Sequence, residues 1–77
     1  PARTLELSSR GGAVVVTGGA RQTLEQGDVL LTVDGESVLS AGQARGMLRD
    51  PPDTVRQLTL RRSGKVKTVR WRTPSLQ

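Results

Sequence analysis

The chain has 77 residues, enough for one small domain, and such a chain buries only about 60% of the surface that it exposes when unfolded. It contains no cysteine and no histidine, which excludes disulfides, thiolate chemistry and the usual Cys/His zinc site. Trp71 is the only aromatic residue, so the core must be built mainly from valine, leucine and alanine. Because the sequence begins with Pro1, we expect it to be part of a longer parent protein.

The net charge of +5 is distributed unevenly along the chain. All seven acidic residues lie at or before Asp53, whereas seven of the basic residues and no acid lie from Thr54 onward. This asymmetry has two interpretations, a solvated face on a terminal hairpin or a patch for an anionic partner. We favour the solvated face.

Two strands are predicted before residue 20. Leucine alternates with polar residues over 4–8, which is typical of a half-buried strand. A turn at 9–12 and a β-branched run over 13–17 follow, so the two strands should form a hairpin. The segment 21–26 is long enough for a single helical turn at most.

The run Val29–Val33 is the most apolar in the chain and predicts the central strand. Asp34-Gly35 then indicates a turn, and we expect a brief strand pairing at 36–38. Gly27 can take a positive φ and Asp28 can accept from nearby amides, so the Gly-Asp pair predicts a turn anchor rather than a catalytic group.

A helix is predicted over 40–49. Ser40 can cap its first turn, and Gln43 stands three residues later, as in a capping box. Alanine, methionine and leucine recur at spacings of three and four between 41 and 48, which gives the helix one apolar face. Proline has no amide donor, so Pro51-Pro52 should end the helix near Arg49.

The segments 55–61 and 66–71 predict a terminal hairpin, followed by a flexible tail at 73–77. One side of this hairpin is apolar and should face inward: Leu58, Leu60, Val69 and Trp71. The chain is therefore predicted to be a single domain over 1–72. Its fold class should be mainly β with one main helix (α+β), a small, partly open antiparallel β-barrel or sandwich capped by the helix at about 40–49.

The central part of the sequence has a distinctive order of elements. A leucine precedes a Gly-Asp pair, a hydrophobic strand ends in Asp-Gly, and a later strand ends in basic residues before a Gly-Lys turn: Leu24, Gly27-Asp28, Val29–Val33, Asp34-Gly35, 58–62 and Gly64-Lys65. This order resembles a PDZ domain of the bacterial type. Such domains accompany trypsin-like periplasmic proteases, carboxyl-terminal processing proteases, intramembrane metalloproteases and type II secretion connectors, so the resemblance implies a periplasmic or cell-envelope parent.

The resemblance implies a non-catalytic module that binds an extended peptide by β-augmentation, between the strand at 4–8 and the helix at 41–49. The implied peptide-binding residues are Thr4, Leu5, Glu6, Leu7, Ser8, Ala41, Arg45 and Leu48. Ala41 cannot hydrogen-bond a Ser or Thr side chain of the ligand, so the expected ligand is hydrophobic or acidic, with Arg45 as its charge partner. The alternatives are that Arg45 points to solvent and that Leu48 belongs to the core. A carboxylate-binding loop of the family's kind would fall at or before residues 1–3, where no such motif is present.

Other functions remain as alternatives. The domain could dock proteins within a secretion connector without capturing a carboxylate, or bind anions or nucleic acid through the basic hairpin at 56–72. One aromatic residue makes nucleic acid an unlikely partner, since single-strand binders stack bases on several aromatics. The free edge at 4–8 could instead pair with a second copy in a homodimer. We expect no enzyme activity and no cofactor, because the serines have no evident base in this chain.

Overall fold

A computed structural model describes residues 4–75 as a six-stranded antiparallel sheet with one short helix. The elements are β1 (Glu6–Arg10), β2 (Ala13–Gly18), β3 (Val29–Val33), β4 (Glu36–Ser37), α1 (Ala41–Met47), β5 (Val55–Arg62) and β6 (Lys65–Arg72). The strand order is β1-β2-β3-β5-β6, and β4 pairs with β3. The predicted mainly β, α+β class is therefore confirmed.

The first hairpin forms as predicted, but β1 begins at Glu6 and ends at Arg10, two residues later than the 4–8 expected. The turn consists of Gly11 and Gly12 alone, at φ values of 55° and 81°. Two consecutive positive φ values produce a tight two-residue turn, which brings Arg10 opposite Ala13 and extends the ladder. The polar residues at the end of β1 are therefore strand rather than turn.

The loop between β2 and β3 contains turns but no helix. It folds back on β2, because the Gly27 amide donates to the Val16 carbonyl at 2.8 Å and the Val16 amide donates to the Asp28 carbonyl at 2.9 Å. Gly27 has a φ of 95°, which few other residues tolerate. The predicted turn at this position is confirmed, and β3 begins directly after it.

Helix α1 begins at the predicted cap. The Ser40 hydroxyl accepts from the Gln43 amide at 3.1 Å, while the Gln43 side chain accepts from the Leu39 amide at 2.7 Å. The helix ends at Met47, two residues earlier than expected, because Leu48 turns out of helical geometry at a ψ of 1°. The helix packs against β1 and β2, so it covers one end of the sheet.

The core lies between the helix and the inner faces of both hairpins. The predicted inward side chains Leu58, Leu60 and Trp71 are fully buried, and Val69 is half-buried. The Trp71 indole N–H donates to the Leu48 carbonyl at 2.8 Å. The largest core side chain therefore ties β6 to the end of α1.

The packed part of the chain extends beyond the predicted boundary at residue 72. Thr73 is 1% exposed, its amide donates to the Thr54 carbonyl, and its hydroxyl accepts from the Thr54 amide, both at 2.8 Å. The Asp53 amide donates to the Pro74 carbonyl at 3.0 Å. Positions 73 and 74 are thus held by the loop before β5 and do not belong to a tail, while residues 76–77 of the predicted tail lie outside the described residues.

Candidate binding groove

Strand β1 forms one edge of the sheet and pairs only with β2 within residues 4–75. Arg10 and Ala13 flank the two-residue turn and form a hydrogen-bonded pair, after which the antiparallel ladder alternates. Leu7 and Ser9 therefore direct their main-chain N–H and C=O groups away from β2. In agreement, Val16, the partner of Leu7, uses its main-chain groups on its other side. These donors and acceptors point away from the sheet, which is the side on which another strand can add.

Helix α1 packs against β1, along the space in which the groove is predicted. Two hydrogen bonds cross it. The Arg45 guanidinium donates through Nη1 to the Leu7 carbonyl at 3.2 Å, a contact termed here the Arg45 bridge. The Ala41 amide donates to the Ser9 hydroxyl at 3.1 Å. Arg45 is thus anchored on β1 rather than pointing freely to solvent.

A pocket of about 250 Å³ lies at one end of the groove, where the chain enters β1 and where α1 ends. Four side chains give it apolar walls: Leu5, Leu48, Trp71 and Pro74. Three arginines and Thr4 complete it: Arg21, Arg45 and Arg49. The Arg21 guanidinium lies 5.6 Å from the centre of the Trp71 ring, a cation–π contact that holds this arginine over the pocket wall.

The charge of the pocket is almost unneutralised. Arg49 lies 3.9 Å from the Asp50 carboxylate, but about 70% of each side chain is exposed, so water screens this pair. Arg21 and Arg45 have no carboxylate within 4.0 Å in the part of the chain that the structure describes. Guanidinium groups beside apolar walls are suited to a ligand that combines a carboxylate with an apolar side chain.

The predicted strand residues take different roles. Thr4 and Leu5 line the pocket. Leu7 faces the core with 5% exposure and offers only its main chain to the groove. Glu6 and Ser8 alternate with Leu7, so their side chains lie on the opposite face of the sheet and their main-chain groups point toward β2. The prediction that these two residues contact the ligand is therefore wrong.

The three predicted helix residues all lie at the groove. Ala41 is 8% exposed and packs against β1, and Arg45 forms the bridge. Leu48 is 3% exposed, which agrees with the alternative that it belongs to the core. It also forms part of the pocket wall. The family's carboxylate-binding loop would fall on residues 1–3, which lie outside the described residues.

Five residues of the groove and pocket were not predicted: Ser9, Arg21, Arg49, Trp71 and Pro74. Arg49 follows Arg45 by one helical turn, so spacing alone could have indicated it. Trp71 was assigned to the core, and its position facing α1 could have suggested a pocket wall. Arg21 and Pro74 reach the pocket only through the course of two loops, which no local pattern reveals.

The basic terminal hairpin does not present one charged face. Three of its seven basic residues form ion pairs with acids from earlier in the chain: Arg56–Asp34 at 2.8 Å, Arg62–Asp28 at 2.7 Å and Arg72–Asp53 at 3.0 Å. The other four basic residues lie on two opposite faces of the hairpin. Lys65 and Lys67 alternate with Arg70 along β6, so they lie on the other face from Arg70. Arg61 lies on the same face as Arg70, because it pairs with Val66 of β6. This arrangement favours a solvated hairpin over a continuous anion-binding patch.

Asp28 anchors the Gly-Asp turn from a buried position, with 1% of the residue exposed. Its carboxylate accepts from the Glu25 amide at 2.8 Å, as expected of a turn anchor, and from Arg62 through Nε at 2.8 Å and Nη2 at 2.7 Å. Burial alone would raise the pKa of Asp28, but the Arg62 and Glu25 hydrogen bonds outweigh it and lower the pKa below 3.8. Asp28 therefore remains ionised and holds the loop to β5.

Comparison with family models, with curated proteins and with solved structures finds no match to this chain. Within residues 4–75, no three side chains of the metal-binding types converge on one point. None of the helices in the described part combines the length and the apolar character needed to cross a membrane. The function is therefore argued from the groove and its pocket.

Proposed function

We propose that this chain is a PDZ-like module that binds an extended peptide segment along β1, opposite α1. The observation that carries the proposal is the free edge of β1, which faces a helix and leads into an apolar pocket rimmed by three arginines. The added segment hydrogen-bonds to the outward groups of Leu7 and Ser9. These main-chain bonds provide affinity without selecting a sequence.

The pocket selects the ligand. Its apolar walls accept an aliphatic or aromatic side chain, and its arginines attract a carboxylate, with Arg45 as the charge partner nearest to the free edge. The carboxylate can belong to an acidic side chain or to the end of the segment. The ligand is thus a hydrophobic or acidic peptide, and the module itself carries no catalytic residue.

The order of elements supports the PDZ-like assignment. The Gly27-Asp28 turn, the central strand β3 and the Asp34-Gly35 turn follow each other as in the bacterial PDZ pattern, and α1 faces an edge strand. By that resemblance, the parent is a cell-envelope protein such as a periplasmic protease or a type II secretion connector.

Main-chain recognition can be tested with N-methylated peptides. Eight-residue acidic peptides are titrated while Trp71, the only aromatic residue of the chain, reports on the pocket through its fluorescence. A methyl group on an amide that faces β1 should abolish binding, whereas a methyl group on the next amide, which faces away, should leave the affinity nearly unchanged. Equal effects of both methylations would contradict strand addition.

The location of the site is tested separately. Amide shift mapping should show changes over 5–9 and 41–49, and shifts confined to 56–72 would refute the groove. Arg49→Ala should lower the affinity for the acidic peptide by about threefold or more, because Arg49 lines the pocket. Arg61→Ala is the matched control, since it removes the same charge from the exposed hairpin and should have little effect.

A further inference from the structure

The Arg45 bridge occupies the main-chain acceptor that an added strand requires. Arg45 Nη1 lies 3.2 Å from the Leu7 carbonyl oxygen. The backbone of a strand added along β1 would lie about 4.8 Å from the backbone of β1, and one of its N–H groups would donate to the Leu7 carbonyl. The guanidinium therefore stands in the space that the added strand would fill, and it must move before the strand can pair fully.

The second contact across the groove does not have this effect. The Ala41 amide binds the hydroxyl of Ser9, a side-chain atom, and leaves the main-chain groups of Ser9 available. Only the Arg45 bridge uses an acceptor of the free edge. Arg45 is thus both the nearest charge to an incoming ligand and the obstacle to its pairing.

Within residues 4–75, no acidic side chain is available to pair with a displaced Arg45 guanidinium. Arg45 has no carboxylate within 4.0 Å in the described part of the chain, and the other pocket residues are apolar or arginine, apart from the uncharged Thr4. A neutral peptide would leave the guanidinium to water. A peptide carboxylate would offer it a charge-assisted, two-point hydrogen bond in place of the one lost at Leu7.

We propose that the Arg45 bridge makes the groove selective for extended segments with a carboxylate side chain next to the Leu7 position. This inference rests on the proposed peptide binding. An acidic segment draws Arg45 off the Leu7 carbonyl and frees that acceptor for its own main chain, whereas a neutral segment competes with the bridge and gains nothing in exchange. Arg45 is the specificity-determining residue of the site.

Removal of the guanidinium separates this role from that of a simple charge partner. If Arg45 only attracted acidic ligands, its loss would weaken acidic peptides and leave neutral ones unchanged. If it also blocks the edge, its loss must strengthen the binding of neutral peptides. The affinity of the neutral peptide is therefore the decisive measurement.

The experiment uses pairs of eight-residue Val/Thr peptides, blocked at both ends, that carry Glu or Gln at one position moved along the peptide. Wild type, Arg45→Met, Arg45→Lys and Arg61→Met are compared by calorimetry, with far-UV circular dichroism to check folding. Arg45→Met keeps the aliphatic stem, and Arg45→Lys keeps the charge without the planar fork. Arg61→Met is the control, because it removes the same charge from the exposed terminal hairpin, outside the pocket lining.

Wild type should prefer the best-placed Glu peptide over its Gln partner by about fivefold, the upper value for one solvent-exposed ion pair. Arg45→Met should lose this preference and bind the Gln peptide about fivefold more tightly than wild type does. Arg45→Lys should keep part of the preference and also bind the Gln peptide more tightly. Arg61→Met should leave the affinity for the Gln peptide unchanged.

Unchanged or weaker binding of the Gln peptide by both Arg45 variants would overturn the inference and leave the peptide-binding function standing. A gain of the same size in Arg61→Met would also overturn it, since net charge would then explain the effect. Absence of binding by every peptide and every variant would overturn both the inference and the proposed function.

Discussion

Replacing Asp28 with asparagine removes a negative charge from a side chain that is almost wholly buried. The carboxylate accepts two hydrogen bonds from Arg62 and one from the Glu25 amide. Asparagine keeps the volume, and its carbonyl oxygen can still accept from Glu25. It cannot maintain the two-point contact with a guanidinium, because its amide nitrogen is a donor.

The expected loss of stability follows from the contact between Asp28 and Arg62. A charged hydrogen bond contributes about 1.5–3 kcal/mol and a neutral one about 1 kcal/mol, so Asp28→Asn should lower the free energy of unfolding by about 2 kcal/mol. A domain of this length has roughly 4–12 kcal/mol of stability in total, by the usual value per residue. The change is therefore large enough to measure by urea unfolding with Trp71 fluorescence. Asp53→Asn is the control, because its ion pair with Arg72 is mostly exposed and should contribute little.

The same carboxylate gives the stability a dependence on pH. The folded-state pKa of Asp28 is lowered below 3.8, despite the opposing effect of burial, so its stabilising contribution is complete above the unfolded-state value of about 3.9 and is lost as the pH falls toward the folded value. The difference between wild type and Asp28→Asn should thus shrink on acidification from pH 7 to pH 3. Asp34, whose pKa the Arg56 and Gln57 hydrogen bonds lower, should leave both proteins with some acid sensitivity. A loss under about 0.5 kcal/mol at pH 7, or a difference that stays constant down to pH 3, would refute this reasoning.

Three further substitutions test how the groove is held. Trp71→Phe should cost about 1–3 kcal/mol in urea unfolding followed by circular dichroism, because it leaves the Leu48 carbonyl without its donor and opens space in the core. Ser40→Ala should cost about 1 kcal/mol in the same assay through loss of the helix cap, and no loss would contradict the capping role. Gly19→Ala should cost more than Gly12→Ala, although both have positive φ, because a methyl group at 19 would clash with the backbone that enters β1 and one at 12 would meet open space. Equal thermal shifts for the two variants would contradict that contact.

Local signals in the sequence determined the elements that were predicted well. The bounds of β3 agree because an uninterrupted apolar run stands between two turn signals, and α1 starts at Ala41 because the Ser40 hydroxyl caps the first turn. The burial of Thr73 could not be predicted in this way. A polar residue near a chain end has no period, and its burial depends on a pair of hydrogen bonds with Thr54, 19 residues earlier.

The sequence predicts part of the groove, because local spacing determines which residues share a face of the helix. Ala41 and Arg45 share a helical face with Leu48, so their common side followed from spacing once the helix was placed. The orientation of Arg45 did not follow, since its anchor, the Leu7 carbonyl, lies 38 residues away and belongs to the backbone. Arg21 was equally inaccessible, because only the folded loop brings it over Trp71.

The uneven charge of the sequence acquires a different meaning in the folded chain. The acids of the first part are used to hold the terminal hairpin, through Asp28, Asp34 and Asp53, so a count of charges along the chain overstates the basic character of that hairpin. An arginine is suited to hold a ligand carboxylate when it has no acidic partner within the described residues and when it lies beside an apolar wall. Arg45 and Arg21 meet both conditions at the pocket. The proposed site for an acidic partner therefore rests on the position and pairing of individual arginines rather than on the net charge of +5.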